Sequence, residues 1–517
     1  LEIRTRVIKG QYHDSVSLML AAKEIKKIEG VIDAAVVMGT DANKALLKQA
    51  GLLTEEAQSA FADDLVVSVK KDKGADAILS QIDGFLISKS SAETGSPKKD
   101  LKSIRSAVRF DPTINFAEIS VAGAYAAGEA REALASGLHV LLFSDNVSVE
   151  DEVSLKKYAV SQGLLLMGPG AGTAIINGIG LGFANALPIG PVGIVSAAGT
   201  GLQEVSTNLA RYGVGISQAI GTGGRDLSKK VGGLMAIAGI EALIEDVSTK
   251  VIILISKPAD DAVISKILNV LKRGKKESVL CTLGATFEHI QDGNIHFTHT
   301  LEECALTAAS IMGAELPDFQ AFMQTEMKKQ QAQANELRSK LGSEQKFIRG
   351  LYSGGTLCYE AQVIWKDLLK EPVFSNAPLE KKNYLKKKNA TQCHTALDLG
   401  EEKFTVGRPH PMINNDLRVR YISMAGRDRT TAVVVIDVVI GYGAHPDPGL
   451  ELGDAIRLAK KEAEQQGRAL IVITCVTGTK DDPHGLAETI TKLEEAGAVV
   501  CDTNAQSARL AGMVVTS

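Results

Sequence analysis

Twice in this chain a short apolar run meets a Gly-Thr pair and passes into a helix-forming stretch, with a Glu four residues beyond the Thr. Val192-Gly193-Ile194-Val195-Ser196 leads to Gly199-Thr200-Gly201-Leu202-Gln203-Glu204, and Ile348-Arg349-Gly350-Leu351-Tyr352-Ser353 leads to Gly355-Thr356-Leu357-Cys358-Tyr359-Glu360. Such a pattern predicts a buried strand that turns sharply into a helix whose first amides face outward. A helix N-terminus of this kind binds phosphate or carboxylate through its free N–H groups and the macrodipole. The Gly lets the backbone approach the anion. The Thr hydroxyl is expected to cap the helix or touch the ligand. Glu204 and Glu360 are expected within reach of a transferred group, one helical turn on.

The composition agrees with layered α/β domains. Of 517 residues, 45% are apolar, 49 are Gly and only 4% are aromatic, which suits many βα turns over buried parallel strands and a length of three or four domains. The net charge of -4 argues against a nucleic-acid surface. Cys281, Cys304, Cys358, Cys393, Cys475 and Cys501 are scattered without a C-x-x-C pair. No metal site is expected from them, and the usage fits a reducing, cytoplasmic setting. No apolar run has the length of a membrane span, and no signal peptide is visible.

Four segments follow along the chain. Residues 1–88 read as a small α+β module of ferredoxin-like type, with strands at Glu2–Lys9, Val31–Met38 and Asp64–Lys70 and a first helix at Ser15–Glu29 for which Asp14, after His13, is the expected N-cap. The polar stretch Lys89–Lys99 reads as a linker. Residues 103–188 alternate strands and helices as a Rossmann-type domain, residues 189–325 repeat the pattern as a flavodoxin-like domain, and residues 347–517 form a second flavodoxin-like domain after a helical connector. An irregular stretch is expected at about 371–430.

Several side chains stand out as ligand groups. Arg225, in Gly-Gly-Arg-Asp, is expected either to fork onto a carboxylate or phosphate or to form an ion pair with Asp226 or a neighbour. Arg408 and His410 flank Pro409 in a loop stiffened by Pro409 and Pro411, which suits presentation to an anion. Lys257 follows a buried strand at the sheet edge where open α/β sheets bind ligands. Asp437 lies inside an apolar strand and needs a partner or a function. That strand ends in Gly441-Tyr442-Gly443, with His445 just beyond. Gly478-Thr479 lacks a Glu in register and reads as an ordinary turn.

Met167-Gly168-Pro169-Gly170-Ala171-Gly172, together with Gly193–Thr200 and Glu204, resembles the α chain of succinyl-CoA synthetase. Asp398-Leu399-Gly400 and Val435–Gly443 are similar to the last domain of its β chain. The resemblance implies a CoA-like pocket at Gly168, Pro169 and Gly172. It also implies a phosphate-facing turn that includes Ser196, Gly199, Thr200 and Gly201. A closer resemblance, over nearly the whole chain, is to the FdrA family of synthetase-like proteins. It rests on Asp14–Met19, Phe143–Val147, Gly223–Ser228 and Val406–Ile413.

Three departures from the synthetase bear on activity. No G-x-x-G-x-x-G turn opens the sheet near Ser103–Val121. Leu283–His289 stands where a G-H-x-G phosphohistidine loop is expected, so that His289 reads as a surface residue. No P-loop or large nucleotide-gripping domain is present. The expectation is therefore a group-transfer protein for acyl or carbamoyl phosphates, with phosphate held between the Gly199 turn and a second helix N-terminus, at Gly355-Thr356 or at Gly441–Gly443. Glu204, Arg408, His410 and Arg225 are its expected catalytic residues. The FdrA resemblance implies carbamoyl transfer between phosphate and oxamate, with companion subunits of a heteromeric complex. An acyl-CoA ligase that uses CoA, and a non-catalytic CoA- or metabolite-binding scaffold, are the alternatives. No resident cofactor is assigned; phosphate, acyl phosphate, carbamoyl phosphate or CoA are the candidate ligands, and self-association into a homo-oligomer is left open.

Overall fold

The computed structural model describes residues 2–11, 13, 15–86, 101, 103–121, 123–285, 289–385, 393–405 and 409–516. Asp14, the Lys89–Lys99 linker and Arg408 lie outside the described residues. Two compact units are present. One comprises Leu1–Lys102 with Glu402–Pro409, and the other Ser103–Glu401 with His410–Ser517.

In the first unit, β1 (Glu2–Ile8), α1 (Ser15–Lys26), β2 (Val31–Met38), α2 (Asp41–Gln49), α3 (Glu55–Ser59), β3 (Leu65–Lys71), α4 (Ala75–Ser80) and α5 (Ile82–Leu86) follow one another. The sheet order is β1-β3-β2 with both pairings antiparallel, the split βαβ arrangement of a ferredoxin-like module. Leu65, Val67 and Val69 face α1 residues Leu18, Ala21 and Ile25 in one core, while Val66 takes part in a second on the other face. Alternate strand residues therefore feed opposite faces, as the period of two requires.

The second unit begins with α6 (Ile104–Phe110), β4 (Phe116–Ile119), α7 (Gly123–Ala135), β5 (His139–Leu142), α8 (Val149–Ser161) and β6 (Leu166–Met167). Strands β4, β5 and β6 form a parallel three-stranded sheet. The hairpin β7 (Thr173–Ile176) and β8 (Ile179–Gly182) does not join it. It pairs with the next sheet, so the expected boundary at 188 moves back to about 172.

That next sheet is built from β9 (Ile189–Ser196), α9 (Gly199–Arg211), β10 (Ile216–Gly221), α10 (Leu234–Glu245), β11 (Val251–Ser256), α11 (Asp261–Gly274), β12 (Glu277–Thr282), β13 (Gln291–Asp292), β14 (Ile295–Thr298) and α12 (Leu301–Ile311). Its order is β13-β14-β12-β11-β9-β10-β7-β8. The long helix α13 (Phe319–Arg338) follows. Then come β15 (Phe347–Tyr352), α14 (Gly355–Leu368), β16 (Val373–Ser375), β17 (His394–Asp398), α15 (Glu402–Thr405, counted with the first unit), α16 (Asp416–Arg427), β18 (Thr431–Val439), α17 (Pro448–Glu464), β19 (Ile471–Thr477), α18 (Leu486–Glu495), β20 (Val499–Cys501) and α19 (Asn504–Val515). The six strands are parallel, in the order β16-β17-β15-β18-β19-β20.

Both Gly-Thr turns occupy the place that binds ligands in open parallel sheets. From β9 the chain goes to β10 on one side and returns to β11 on the other. From β15 it goes to β17 on one side and then to β18 on the other. The strand order reverses at β9 and at β15, and a crevice opens beyond the carboxyl end of such a strand. One continuous core joins the two sheets. It holds Ile194, Leu202 and Val205 from the first, and Ile348, Leu357, Trp365 and Ala508 from the second. Trp365, the single Trp, is fully buried and donates its indole N–H to the Ala508 carbonyl at 2.8 Å.

Candidate active site

The two helix N-termini meet. A Cβ placed on Gly354 would sit 2.8 Å from both Cγ2 and Oγ1 of Thr200, and one placed on Gly201 would sit 2.9 Å from Thr356 Cγ2. Each Thr thus lies against a glycine of the opposite turn, and only glycine allows the approach. The N-cap residues are Ala198 and Gly354, neither with a capping side chain. The expected capping role of Thr200 and Thr356 is therefore corrected: both lie inside the helix. The first intrahelical bonds run from Leu202 N–H to Ala198 and from Cys358 N–H to Gly354. The amides of Gly199, Thr200, Gly201, Gly355, Thr356 and Leu357 come before them and meet no acceptor among the described residues. Gly199 is exposed and Thr200 and Gly355 are half-buried, so solvent reaches the junction.

Each turn is held by an internal acceptor. Ser196 takes the Ala198 amide at 3.1 Å and donates to the Ala198 carbonyl at 2.8 Å, and it is buried. Its expected contact with an anion is thereby corrected: its hydroxyl shapes the turn. On the other side Asp437, wholly buried, accepts from Ser353 N–H at 2.7 Å, Ser353 Oγ–H at 3.0 Å and Gly354 N–H at 2.7 Å. Arg418 pairs with it at 3.2 Å. The acid expected to need a partner has four, and it fixes the N-cap of α14.

Glu204 is not at the mouth. Its Oε1 accepts from the Asn504 amide at 2.9 Å, its Oε2 accepts from the Thr477 hydroxyl, and it is buried. Glu360 accepts from the Leu301 amide and from Asn504 Nδ2, both at 2.7 Å. Each Glu thus binds the first amide of a helix carried by the other sheet, α19 for Glu204 and α12 for Glu360. The expected catalytic role of Glu204 is corrected to a clamp between the sheets. Burial pushes both carboxyls up, Glu360 to about 7.

Gly441–Gly443 does not form a helix N-terminus. The Gly441 amide donates to His484 Nδ1 at 3.3 Å and the Tyr442 amide to the Ala184 carbonyl at 2.7 Å. Helix α17 starts later, capped by Asp447. The turn instead packs on 182–185, where Gly443 meets Phe183. Of the two placements expected for the second N-terminus, Gly355-Thr356 is the one that faces Gly199–Gly201.

Arg225 points away. Its Nε pairs with Glu152 at 2.9 Å, not with Asp226, and its NH2 donates to the Val147 carbonyl at 2.8 Å. Beneath it the fully buried Lys156 bonds Glu152 at 2.8 Å, Asp226 at 2.7 Å and the Thr222 carbonyl at 2.9 Å. Asp226 also accepts from the Ala236 amide at 2.8 Å, near the start of α10. His410 takes the Met412 amide on Nδ1 at 3.2 Å and packs on Phe183 at 5.8 Å between centroids. Burial, and then the Arg418 charge, lower its pKa to about 4, so the ring is neutral at pH 7 and supplies no charge for an anion. His289 is exposed, as expected. His445 pairs with Glu451 at 2.8 Å rather than with the junction.

Of the stretch that holds Gly168, Pro169 and Gly172, it is the next residue, Thr173, that reaches the first turn. Gly223 is close to Gly168 and Pro169, Gly182 to Gly172, and Thr173 Oγ1 lies 3.8 Å from a Cβ position on Gly199. Beside the second turn stand two groups that the sequence reading left out of the core of the site. A Cβ on Gly355 would overlap Asp398 Oδ2 and come within 3.4 Å of Lys257 Nζ. Lys257 also lies over the Tyr359 ring at 5.8 Å. Burial lifts the Asp398 carboxyl to about 6, with Lys257 opposing the rise and Glu401 adding to it.

No group of three or more His, Cys, Asp or Glu among the described residues is arranged to hold a metal ion. Among them, no helix is long and apolar enough to cross a membrane.

Family models match the chain in three blocks. Residues 1–102 match the family model described as AllF, heavy metal-associated domain. Residues 189–284 match a CoA binding domain and residues 351–514 a CoA-ligase. The N-terminal block holds no Cys and a single His, His13. Over 152 residues the chain is 30% identical to the ADP-forming succinate–CoA ligase subunit alpha of Methanothermobacter thermautotrophicus, covering 29% of this chain and 50% of that one. The apo dinucleotide-forming acetyl-coenzyme A synthetase 1 of Ca. Korarchaeum cryptofilum is 16% identical, with 78% of this chain and 82% of that chain covered at a TM-score of 0.26. The uncharacterized protein YahF of Escherichia coli (strain K12) is 40% identical over 513 residues, 99% of this chain and 98% of YahF. The chain belongs to the family of YahF, an FdrA-like family of acyl-CoA synthetase-like proteins related to succinyl-CoA synthetase.

Proposed function

We propose that this acyl-CoA synthetase-like chain binds phosphate, or the phosphate of an acyl phosphate, between the N-termini of α9 and α14, and that the group it transfers is carbamoyl, between phosphate and oxamate. The observation that carries the reading is the contact of two uncapped helix N-termini whose six leading amides lack acceptors, at the reversal points of two parallel sheets. Two positive helix ends brought together need an anion between them, and preorganised amides stabilise developing negative charge without reorganisation. In the proposed reaction a phosphate oxygen bonds to the carbamoyl carbon of oxalurate and the C–N bond breaks. Oxamate leaves with the electron pair, and its nitrogen gains the proton brought by monohydrogen phosphate. Oxamate itself comes from the FdrA resemblance. Companion subunits and a cytoplasmic setting belong to the same proposal, the latter consistent with six free cysteines.

A second reading, acyl-CoA ligation, draws on the CoA-binding and CoA-ligase matches. A reconstituted assay separates the two: the chain with its companion subunits is given carbamoyl phosphate and oxamate, or ATP, CoA and succinate. Turnover only in the first supports carbamoyl transfer; turnover only in the second restores the ligase.

A further inference from the structure

The N-terminus of α14 carries one group that the phosphate reading does not use. Asp398 closes β17 and is 7% exposed. Its backbone is locked: its amide donates to Asn376 Oδ1 at 2.9 Å and its carbonyl accepts from Asn376 Nδ2 at 2.9 Å. Its Oδ1 takes the Gly400 amide at 3.0 Å. Its Oδ2 accepts nothing among the described residues and is aimed at Gly355, in the first turn of α14, where a side-chain carbon would overlap it. Lys257 Nζ stands at the same glycine. A carboxyl is a poor neighbour for an anion unless it recognises something else in the ligand. The acceptor oxygen faces the cradle, so the ligand atom beside the phosphate must offer a hydrogen. A carbamoyl or amide nitrogen has two; the methyl or methylene of an acyl group has none to give.

Resting on the phosphate-binding reading above, we propose that Asp398 is the specificity residue of this site, selecting a carbamoyl or amide group over an acyl group by accepting an N–H on Oδ2, while Lys257 offsets the charge of the paired anions. The selection belongs to the ionised carboxyl: with Oδ1 held by the Gly400 amide, a proton would sit on Oδ2 and turn the acceptor into a donor that an acyl carbonyl could equally take. A site built to hydrogen-bond a substrate N–H rejects the isostere that lacks it, because its buried oxygen is then left unpaired.

The test uses the full chain and two stable phosphonates of equal shape, phosphonoacetamide and acetonylphosphonate, with inorganic phosphate as the third ligand, titrated calorimetrically. The wild type is expected to prefer the amide by roughly ten- to hundredfold. Asp398→Leu should bring the ratio to near one while phosphate affinity is kept or raised. Asp398→Asn, held through its oxygen by the Gly400 amide, turns a donor toward the ligand and should also collapse the ratio, which covers a failure of the Leu variant to fold. A wild-type ratio near one with phosphate bound overturns the Asp398 assignment alone, as does a ratio unchanged in the variants. Binding of none of the three ligands overturns the anion cradle and the assignment with it.

Discussion

Thr200 and Gly354 touch across the junction of two sheets: the threonine's Cγ2 and Oγ1 occupy the space 2.8 Å from where a side chain on the glycine would begin. Gly201 and Thr356 repeat the relation in reverse at 2.9 Å. The backbone at Gly354 is ordinary, with φ -100 and ψ 111, so contact alone demands glycine there. The two helix ends come this close only because both glycines are bare.

Gly354→Ala should therefore push α9 and α14 apart. Overpacking of this kind costs about 1–3 kcal/mol. Phosphate affinity should fall by roughly tenfold, a loss on the order of 1.4 kcal/mol. Pairing it with Thr200→Ala, which removes two of the three crowding atoms and leaves Cβ at 2.9 Å, should recover part of each loss in a double-mutant cycle by urea unfolding and phosphate titration. Strict additivity of the two changes would show that they do not meet.

Glu360 sets a pH dependence of stability. Its carboxyl titrates near 7 when folded, against 4.5 as its ordinary value. The folded state thus holds its proton more tightly, and the stability this gives is present below 4.5 and lost as pH rises through 7. The full effect is on the order of 3 kcal/mol. Glu360→Gln should flatten that decline, which denaturant midpoints of variant and wild type at pH 5 and pH 8 will read. Parallel curves would mean that Glu360 is ionised throughout.

His410 runs the other way. Burial holds its ring at about 4, below its ordinary 6.5. The stability tied to its neutral form is present above 6.5 and is lost as pH falls toward 4. Its ring proton resonances should not move between pH 6 and pH 8. A midpoint near 6.5 would return it to the role of a cationic anion ligand.

Lys156 is predicted to matter more to folding than Arg225. Lys156→Met strips one buried cation from two buried acids, a change that costs about 3–5 kcal/mol. The Arg225 side chain is 45% exposed, and Arg225→Gln should cost far less and leave phosphate binding unchanged. Thermal unfolding of both variants beside phosphate titrations checks the pair.

Much of this architecture was legible in the chain because parallel strands buried on both faces read as apolar runs. Val192–Ser196 and Ala432–Val439 announce β9 and β18 in that way. The β17 strand was not legible. His394–Asp398 is five residues long, begins with His and ends with Asp, and it fell inside the stretch expected to be irregular. Asp398 was lost with it. The Gly-Thr turns were found from local pattern, but their contact joins residues more than 150 positions apart, and no local pattern encodes that. Glu204 and Glu360 were misplaced for the same reason: their offset from the turn is local, whereas Asn504, Thr477 and Leu301, which hold them, are remote.

The most direct test of the shared cradle is a crystal of the full chain grown with selenate and measured at the selenium edge, with the methionines left unlabelled. The prediction is an anomalous peak within hydrogen-bond reach of amides from both Gly199–Gly201 and Gly355–Leu357, displaced by phosphate. A peak bound by one turn alone, or no peak at this junction while selenate binds elsewhere on the chain, would contradict it.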